Sequence, residues 1–337
     1  MIDKIKYVIT AEMNPYNNLA LEEYLLKQVG EQECILYLWQ NERTVVIGKN
    51  QNPWKECKVT ELEADGGKLV RRLSGGGAVF HDLGNLNFTF LVAKDNYSVE
   101  KQLEVIVKAV NNLGMPAEKS GRNDITVEGK KFSGNAFYSD GLHSYHHGTI
   151  LVNVDMSKLS LYLNVSRDKL VSKGVESVRS RVTNLTEYRT DLTIQRMQEE
   201  LIQAFGQVYG LQPEKLEVSD YNLLELSKLE EKFSSWDWIY GKKMEFNFSF
   251  SRRFTWGDID LQFVVDSGRI KQCAAYSDAL ETELFEFVSC AMTGCIFSLT
   301  GMVEAAKTIN LTRESEETQK EILADVITLI NDSMKGQ

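Results

Sequence analysis

The segment DITVEGKKFSGNAFY, residues 124–138, decides what kind of fold this chain adopts. Two runs of strand-forming residues flank Glu128-Gly129, a pair suited to a tight turn, so the segment predicts a β-hairpin. HHGTILVNVD at 146–155 predicts the strand that follows it, and NLNFTFLVA at 85–93 a strand before it. Upstream, NNLALEEYLLKQ (17–28) predicts a helix, and CILYLWQ (34–40) and TVVIGKN (44–50) two further strands. Ser98 precedes a periodic apolar series, Val99, Leu103, Ile106, Val107, Val110 and Leu113, which Gly114 and Pro116 bring to a stop. An amphipathic helix is therefore expected over 99–113. Helices and antiparallel strands are mixed without the regular βαβ alternation of a doubly wound sheet. The expectation is an α+β domain.

Beyond it, residues 156–190 lose periodicity, and SKGVESVRSRVTNLTEY (172–188) has the composition of a mobile polar loop over a site. A helix is expected at 193–208, carried by Ile194, Met197, Leu201, Ile202, Phe205 and Val208, followed by a charged stretch near 225–232. RRFTWGDIDLQFVVDSGRI (252–270) predicts two strands, and a last helix is expected near 318–331. A chain of 337 residues exceeds the size at which one core stops growing, so two domains are expected. The boundary is placed at 245–252, giving a large domain over 1–247 and a small α+β domain over 248–337.

Composition narrows the function. Apolar residues at 43 % with 26 % charged residues fit a soluble globular protein. A net charge of −10 opposes nonspecific nucleic-acid binding, which depends on Lys and Arg neutralising phosphates. The opening MIDKIKYVIT has no apolar signal-peptide core, and no apolar run is long enough to span a membrane, so a cytoplasmic protein without membrane or nucleic-acid partners is expected. Cys34, Cys57, Cys273, Cys290 and Cys295 form no C-x-x-C pair and read as reduced thiols.

RRLSGGGAVFHDLGN at 71–85 places three glycines in a row between strand-like segments. Holding three ordered glycines forfeits about 2 kcal/mol relative to alanine, so something there needs bare backbone. Successive N–H groups can point into one concavity that takes phosphate or carboxylate oxygens, and Arg71 and Arg72 stand at its mouth with the fork geometry suited to such anions. The bland alternative is a glycine-rich turn with surface arginines; Ser74, His81, Asp82 and Asn85 nearby weigh against it. The chain has neither a G-x-x-x-x-G-K-[ST] loop nor a G-x-G-x-x-G fingerprint, so a nucleotide would be held in another way.

The 124–138 hairpin supplies a cation. Lys130 and Lys131 alternate along a strand, so at most one faces a shared site, and Lys131, beside Phe132-Ser133-Gly134, is the choice. Asp124 offers one carboxylate to a Mg²⁺ whose remaining ligands would be phosphates and waters. His143, His146 and His147 fall within five residues, but without an H-E-x-x-H pattern or a nearby thiolate a zinc site is disfavoured. His147 reads instead as a hydrogen-bonding wall of a pocket, or as a satisfied structural histidine.

Taken in order, these three blocks resemble the lipoate-protein ligases of the biotin/lipoate protein ligase superfamily. The likeness extends to NPYNNLALEEYLL and WQNERTVVIGKNQNPWKECK upstream, and to KGVESVRSRVTNL and RRFTWGDIDLQF downstream. The resemblance implies a large catalytic domain with a mixed sheet and a small C-terminal domain, using ATP and Mg²⁺ to convert free lipoate to lipoyl-AMP and pyrophosphate. The lipoyl group would then pass to a lysine of apo lipoyl domains in 2-oxoacid dehydrogenase E2 subunits or of the glycine-cleavage H protein. It further implies nucleotide contacts from Arg72, Gly75, Gly76, Gly77, Ala78, Val79, Phe80 and Lys131. Lipoate contacts would come from Trp39, Arg72, Ser74, His81, Lys131 and His147. Lys131 would be the catalytic cation touching both acyl carbonyl and α-phosphate, and KGVESVRSRV the loop that closes over the adenylate.

Two alternatives stay in view. An octanoyl or lipoyl transferase of the same superfamily passes its acyl group through a cysteine thioester, yet no cysteine lies between Cys57 and Cys273. ATP dependence separates the two. A non-catalytic lipoate binder would most simply lack Lys131, which is present; biotin ligation would call for a G-R-G-R-x-G type loop in place of R-R-L-S-G-G-G.

Overall fold

The computed structural model describes residues 1–121, 123–164, 182–217, 221–241, 244–312 and 316–335. The expected closing loop at 173–182 therefore lies, except for Val182, outside the described residues. In chain order the elements are β1 (Lys4–Ile9), α1 (Pro15–Gln28), β2 (Glu33–Trp39), β3 (Thr44–Ile47), α2 (Pro53–Glu56), α3 (Val59–Ala64), β4 (Lys68–Arg71), β5 (Val79–His81), β6 (Asn85–Ala93), α4 (Val99–Asn112), β7 (Ala117–Ser120), β8 (Asp124–Val127), β9 (Lys130–Ser139), β10 (His143–Leu151) and α5 (Met156–Tyr162). They continue with α6 (Ile194–Tyr209), β11 (Glu214–Lys215), α7 (Leu223–Ser234), α8 (Trp236–Tyr240), β12 (Phe248–Arg253), β13 (Asp258–Asp266), β14 (Arg269–Ser277), α9 (Leu284–Met292), α10 (Leu299–Lys307) and α11 (Glu316–Lys335).

By their contacts the residues divide into two compact units, neither continuous in sequence. One comprises Met1–Val46, Cys57–Arg71 and Val79–Ile239; the other comprises Ile47–Glu56, Arg72–Ala78 and Tyr240–Gln337. The glycine loop groups with the second, where the Gly76 N–H donates to the Ala279 carbonyl at 2.8 Å.

The first unit is built on an eight-stranded mixed sheet, ordered β11-β1-β2-β6-β10-β9-β8-β7. Its β1–β2 and β1–β11 pairs are parallel and the pairs from β2 to β7 antiparallel. All seven residues of β2 are buried, which requires cover on both faces of the sheet. α4 and α6 cover one face, their Val105, Ile106, Ala109, Met197, Leu201 and Phe205 forming one core with Leu36, Leu38, Phe88 and Phe90. α1 supplies the other side, with Asn14 accepting from the Tyr16 N–H and Pro15 in the first turn. A second, three-stranded sheet is ordered β4-β3-β5.

The 124–138 segment is the expected hairpin. Glu128 (φ 51°) and Gly129 (φ 75°) both adopt left-handed conformations, the pattern of a two-residue turn that matches strand twist. Two expectations need correction. The 252–270 segment belongs to three strands, because β12 begins at Phe248 and β14 runs on to Ser277. The aperiodic 156–190 region opens with α5, capped by Asp155, whose side chain accepts from the Ser157 N–H.

The second unit packs α9, α10 and α11 on the antiparallel sheet β12-β13-β14. Phe250, Ile259, Leu261 and Phe263 of the sheet meet Val288, Met302, Val326 and Leu329 of the helices.

Candidate active site

In the first unit, β10 sends consecutive histidines to opposite faces, as strand geometry requires. His146 enters the core, with Phe88, Phe90 and Phe137 around its ring. Its Nε2 lies 2.8 Å from Asn135 Oδ1, whose amide nitrogen donates to the Asn123 carbonyl, so Nε2 carries the proton. Burial, with the His147 charge beside it, lowers the His146 pKa to about 3.

His147 turns the other way, toward α1. Its Nδ1 lies 2.9 Å from Glu22 Oε1, and Glu22 is only 1 % exposed. The same oxygen accepts from Thr89 Oγ1 at 2.7 Å, and Thr89 in turn accepts from Trp39 Nε1 at 3.1 Å. A directed set of donors, Trp39 to Thr89 to Glu22 and His147 to Glu22, thus converges on one buried carboxylate. A parallel relay fixes His81: Tyr37 Oη donates to Asn18 Oδ1 (2.9 Å), Asn18 Nδ2 to Asn41 Oδ1 (3.0 Å), and Asn41 Nδ2 to His81 Nδ1 (3.3 Å). The Tyr37 phenol is held well above its ordinary pKa by burial and by the Glu22 charge, so it remains a donor. The Trp39 indole stands edge-on to His81, with ring centroids 6.3 Å apart. Trp39 thus belongs by hydrogen bonding to the relay of His147 and by ring contact neighbours His81 of the other.

Lys131 lies on β9, where its Nζ meets Asp124 Oδ1 of β8 at 2.6 Å. Both side chains remain about one-third exposed, open to a ligand. Lys130 points elsewhere, reaching Glu187 at 4.0 Å. Phe80 packs on Tyr162 with centroids 5.4 Å apart, and Val79 pairs with Val46 in the small sheet.

In the second unit the glycine loop closes around Arg72. The guanidinium, 6 % exposed, donates to Ser74 Oγ (3.0 Å), to the Gly75 carbonyl (2.6 Å) and to the Gly77 carbonyl (2.9 Å). The three glycines have different reasons. Gly76 has φ 90°, a conformation that favours glycine. A Cβ on Gly75 would stand 2.4 Å from the Ala279 carbonyl oxygen, so that position is glycine for packing. A Cβ on Gly77 would meet nothing within 4 Å, and neither backbone angle nor packing demands glycine there. Gly77, followed by Ala78, is where the loop presents open backbone.

Arg71 does not stand at the mouth of this loop. Register sends it into the first unit, where its guanidinium donates to the carbonyls of Trp238 (2.9 Å) and Ile239 (2.6 Å), and Trp238 Nε1 donates in return to the Arg71 carbonyl (2.8 Å). It is a structural clamp on α8.

Burial pushes the thiols of Cys34, Cys57 and Cys273 up to about 12, far from the ionisation a thioester route would need. Among the described residues, no three His, Cys, Asp or Glu side chains are grouped as a metal site.

Glu22 and Thr89 were not singled out in the sequence. The available signal was a glutamate pair inside the apolar run LALEEYLL, and a threonine between phenylalanines in NFTFL.

Two family models match the chain, the lipoyl protein ligase A/B catalytic domain over residues 14–206 and the bacterial lipoate protein ligase C-terminus over 243–327. The chain is 43 % identical over 293 residues to a lipoate-protein ligase A of Psychrobacter cryohalolentis, covering 85 % of this chain and 86 % of that one. Among solved structures it resembles LipL1 of P. falciparum in complex with lipoate, with a TM-score of 0.82, 30 % identity, and 96 % and 99 % of the two chains covered. A bipartite lipoate protein ligase from Thermoplasma acidophilum, determined with its E2 lipoyl domain, matches with a TM-score of 0.64, 26 % identity, and 72 % and 98 % coverage. A lipoate-protein ligase A bound with ATP matches with a TM-score of 0.62, 26 % identity, and 72 % and 99 % coverage.

Proposed function

The chain belongs to the lipoate-protein ligase family, and from that premise we propose how its residues divide the work. The protein is an ATP-dependent lipoate-protein ligase. It joins the carboxylate of free lipoate to AMP with release of pyrophosphate, then passes the lipoyl group to a lysine of an apo lipoyl domain. A carboxylate resists direct attack by an amine because its leaving group would be oxide; AMP supplies a stable one. The first step brings one anion against another, so the enzyme's task is to stabilise charge as it builds.

Lys131 is the group for that task, and its placement is the observation that carries the assignment: an ammonium about one-third exposed and fixed by Asp124 at 2.6 Å. It neutralises the α-phosphate in the first half-reaction and polarises the acyl carbonyl in the second. Arg72 shapes the glycine loop from within, and the open backbone at Gly77 and Ala78, with Val79 and Phe80 after it, takes the nucleotide. Trp39, His81 and His147 hold the lipoate. The buried relays behind His81 and His147 keep those rings in one orientation while the acyl chain comes and goes.

Mg²⁺ fits Asp124 by donor chemistry. Oδ1 is bound to Lys131, and a single hard carboxylate oxygen supplemented by phosphate oxygens and water is how Mg²⁺ is commonly held. When bound, the ion supplies further charge neutralisation on the triphosphate.

The proposed acceptors are E2 subunits of 2-oxoacid dehydrogenases and the glycine-cleavage H protein, and the proposed compartment is the cytoplasm. Among the described residues no helix is long and apolar enough to cross a membrane. Residues 1–247 are proposed as the catalytic domain and 248–337 as the accessory one.

Pyrophosphate release tests the reading. With lipoate, ATP and Mg²⁺ but no acceptor, about one equivalent per enzyme is expected in a burst; adding an apo lipoyl domain should make release continuous. Acyl transfer that proceeds equally well without ATP would overturn it in favour of a transferase, and lipoate binding without pyrophosphate release in favour of a binder.

A further inference from the structure

Lys131 and Gly134 are three residues apart on β9, a separation that places side chains on opposite faces of a regular strand. The pairing of β8 with β9 is not regular. Asp124 pairs with Gly134 and Ile125 with Ser133, but Thr126 pairs with Lys131, so Phe132 is an extra residue on β9. The burial pattern shows the result of this bulge: Phe132 and Ser133 are consecutive and both fully buried, on the side where Ile125 and Phe132 join the core. Lys131 and Gly134 are thereby both turned to the opposite face, where Asp124 lies.

A glycine inside a strand weakens it and calls for a reason. Gly134 does not have a positive φ, so its backbone would accept alanine without strain. Its nearest neighbours are the catalytic side chain itself: a Cβ there would stand 3.0 Å from Lys131 Nζ and 3.1 Å from Cε, with Thr149 Oγ1 next at 3.9 Å. The Lys131 backbone has little room to yield. It pairs with Thr126 on one side, and on the other it bridges to Val182 and accepts from the Thr183 N–H at 2.9 Å.

We infer that Gly134 is a positioning residue for Lys131: the bulge at Phe132 aims the ammonium across position 134, and the missing side chain there lets it lie against Asp124. This rests on the reading of Lys131 as the catalytic cation. A methyl group at 134 displaces the ammonium by a few tenths of an ångström. Because a misplacement of about 1 Å costs on the order of a hundredfold in rate, the expected loss is roughly tenfold in kcat.

The experiment measures pyrophosphate release with lipoate and ATP, with thermal unfolding alongside, for the full-length protein and for Gly134→Ala, Lys131→Ala and the double variant. Gly134→Ala should lose about tenfold in kcat, with KM for both substrates within about twofold and an unchanged melting temperature. In the Lys131→Ala background the same substitution should cost nothing further, since its effect runs through the lysine. An unchanged kcat in Gly134→Ala, or an equal loss in both backgrounds, overturns the inference. If Gly134→Ala alone fails to fold, the double variant decides: recovery of the fold shows that the clash was with Lys131, and continued failure overturns the inference. Wild-type activity in Lys131→Ala would instead overturn the reading of Lys131 on which it rests.

Discussion

Replacing Glu22 by alanine tests the buried network behind His147. The side chain is 1 % exposed, and its Oε1 is the acceptor for Thr89 Oγ1 at 2.7 Å and His147 Nδ1 at 2.9 Å. Water cannot readily replace it in so enclosed a place, so both donors lose their acceptor, at about 1–3 kcal/mol each. A total near 4 kcal/mol is expected, which for a unit of this size corresponds to a fall of roughly 10 °C in the melting temperature. Glu22→Gln keeps an acceptor oxygen and should recover more than half of that loss. The assay is thermal unfolding by circular dichroism at neutral pH, paired with KM for lipoate and for ATP. Because His147 is proposed to line the acyl site, KM for lipoate should rise several-fold more than KM for ATP. A fall of less than about 2 °C in Glu22→Ala with both KM values unchanged would refute the reasoning, because it would mean that these hydrogen bonds are neither buried nor connected to the substrate.

The glycine loop separates packing from ligand contact. Gly75→Ala should destabilise the second unit by more than about 2 kcal/mol, because the methyl group meets the Ala279 backbone at 2.4 Å. Gly77→Ala should leave the melting temperature unchanged and raise KM for ATP several-fold; the opposite pattern in calorimetry and kinetics would reverse the assignment. Acid should destabilise the protein through His146. Its folded pKa, about 3, lies below the unfolded value near 6.5, so its contribution is complete above about pH 6.5 and is lost as pH falls toward 3, by up to about 1.4 kcal/mol per pH unit. His146→Phe should flatten urea stability between pH 6 and 4 relative to the parent, and an identical slope in both proteins would contradict this. A variant with alanine at all five cysteines should retain ATP-dependent lipoylation, and complete loss of transfer in a folded variant would restore the thioester route.

The hairpin and the long amphipathic helices were legible because their causes are local. Glu128-Gly129 carries its own turn geometry, and Ser98 and Gly114 bracket a helix that spans Val99–Asn112. What escaped depends on distant residues. Arg71 and Arg72 are chemically alike neighbours; register alone sends one to the carbonyls of α8 and the other into the glycine loop. The reason for Gly75 lies some two hundred residues away at Ala279, so in the sequence the three glycines were indistinguishable. Glu22 reads as half of a charged pair on a helix surface until the sheet is folded against it. The Phe132 bulge is hidden because KKFSG is compatible with plain alternation, and only the pairing with β8 reveals the extra residue.

In the proposed mechanism a single ammonium, Lys131, serves both half-reactions. The most direct measurement is the intact mass of an apo lipoyl domain after incubation with lipoate, ATP, Mg²⁺ and either the parent protein or Lys131→Ala, with presynthesised lipoyl-AMP supplied in a second pair of reactions. One added lipoyl group is expected with the parent in both cases, and with Lys131→Ala a rate at least a hundredfold lower from either starting material. Full lipoylation by the folded Lys131→Ala protein from lipoate and ATP would contradict it.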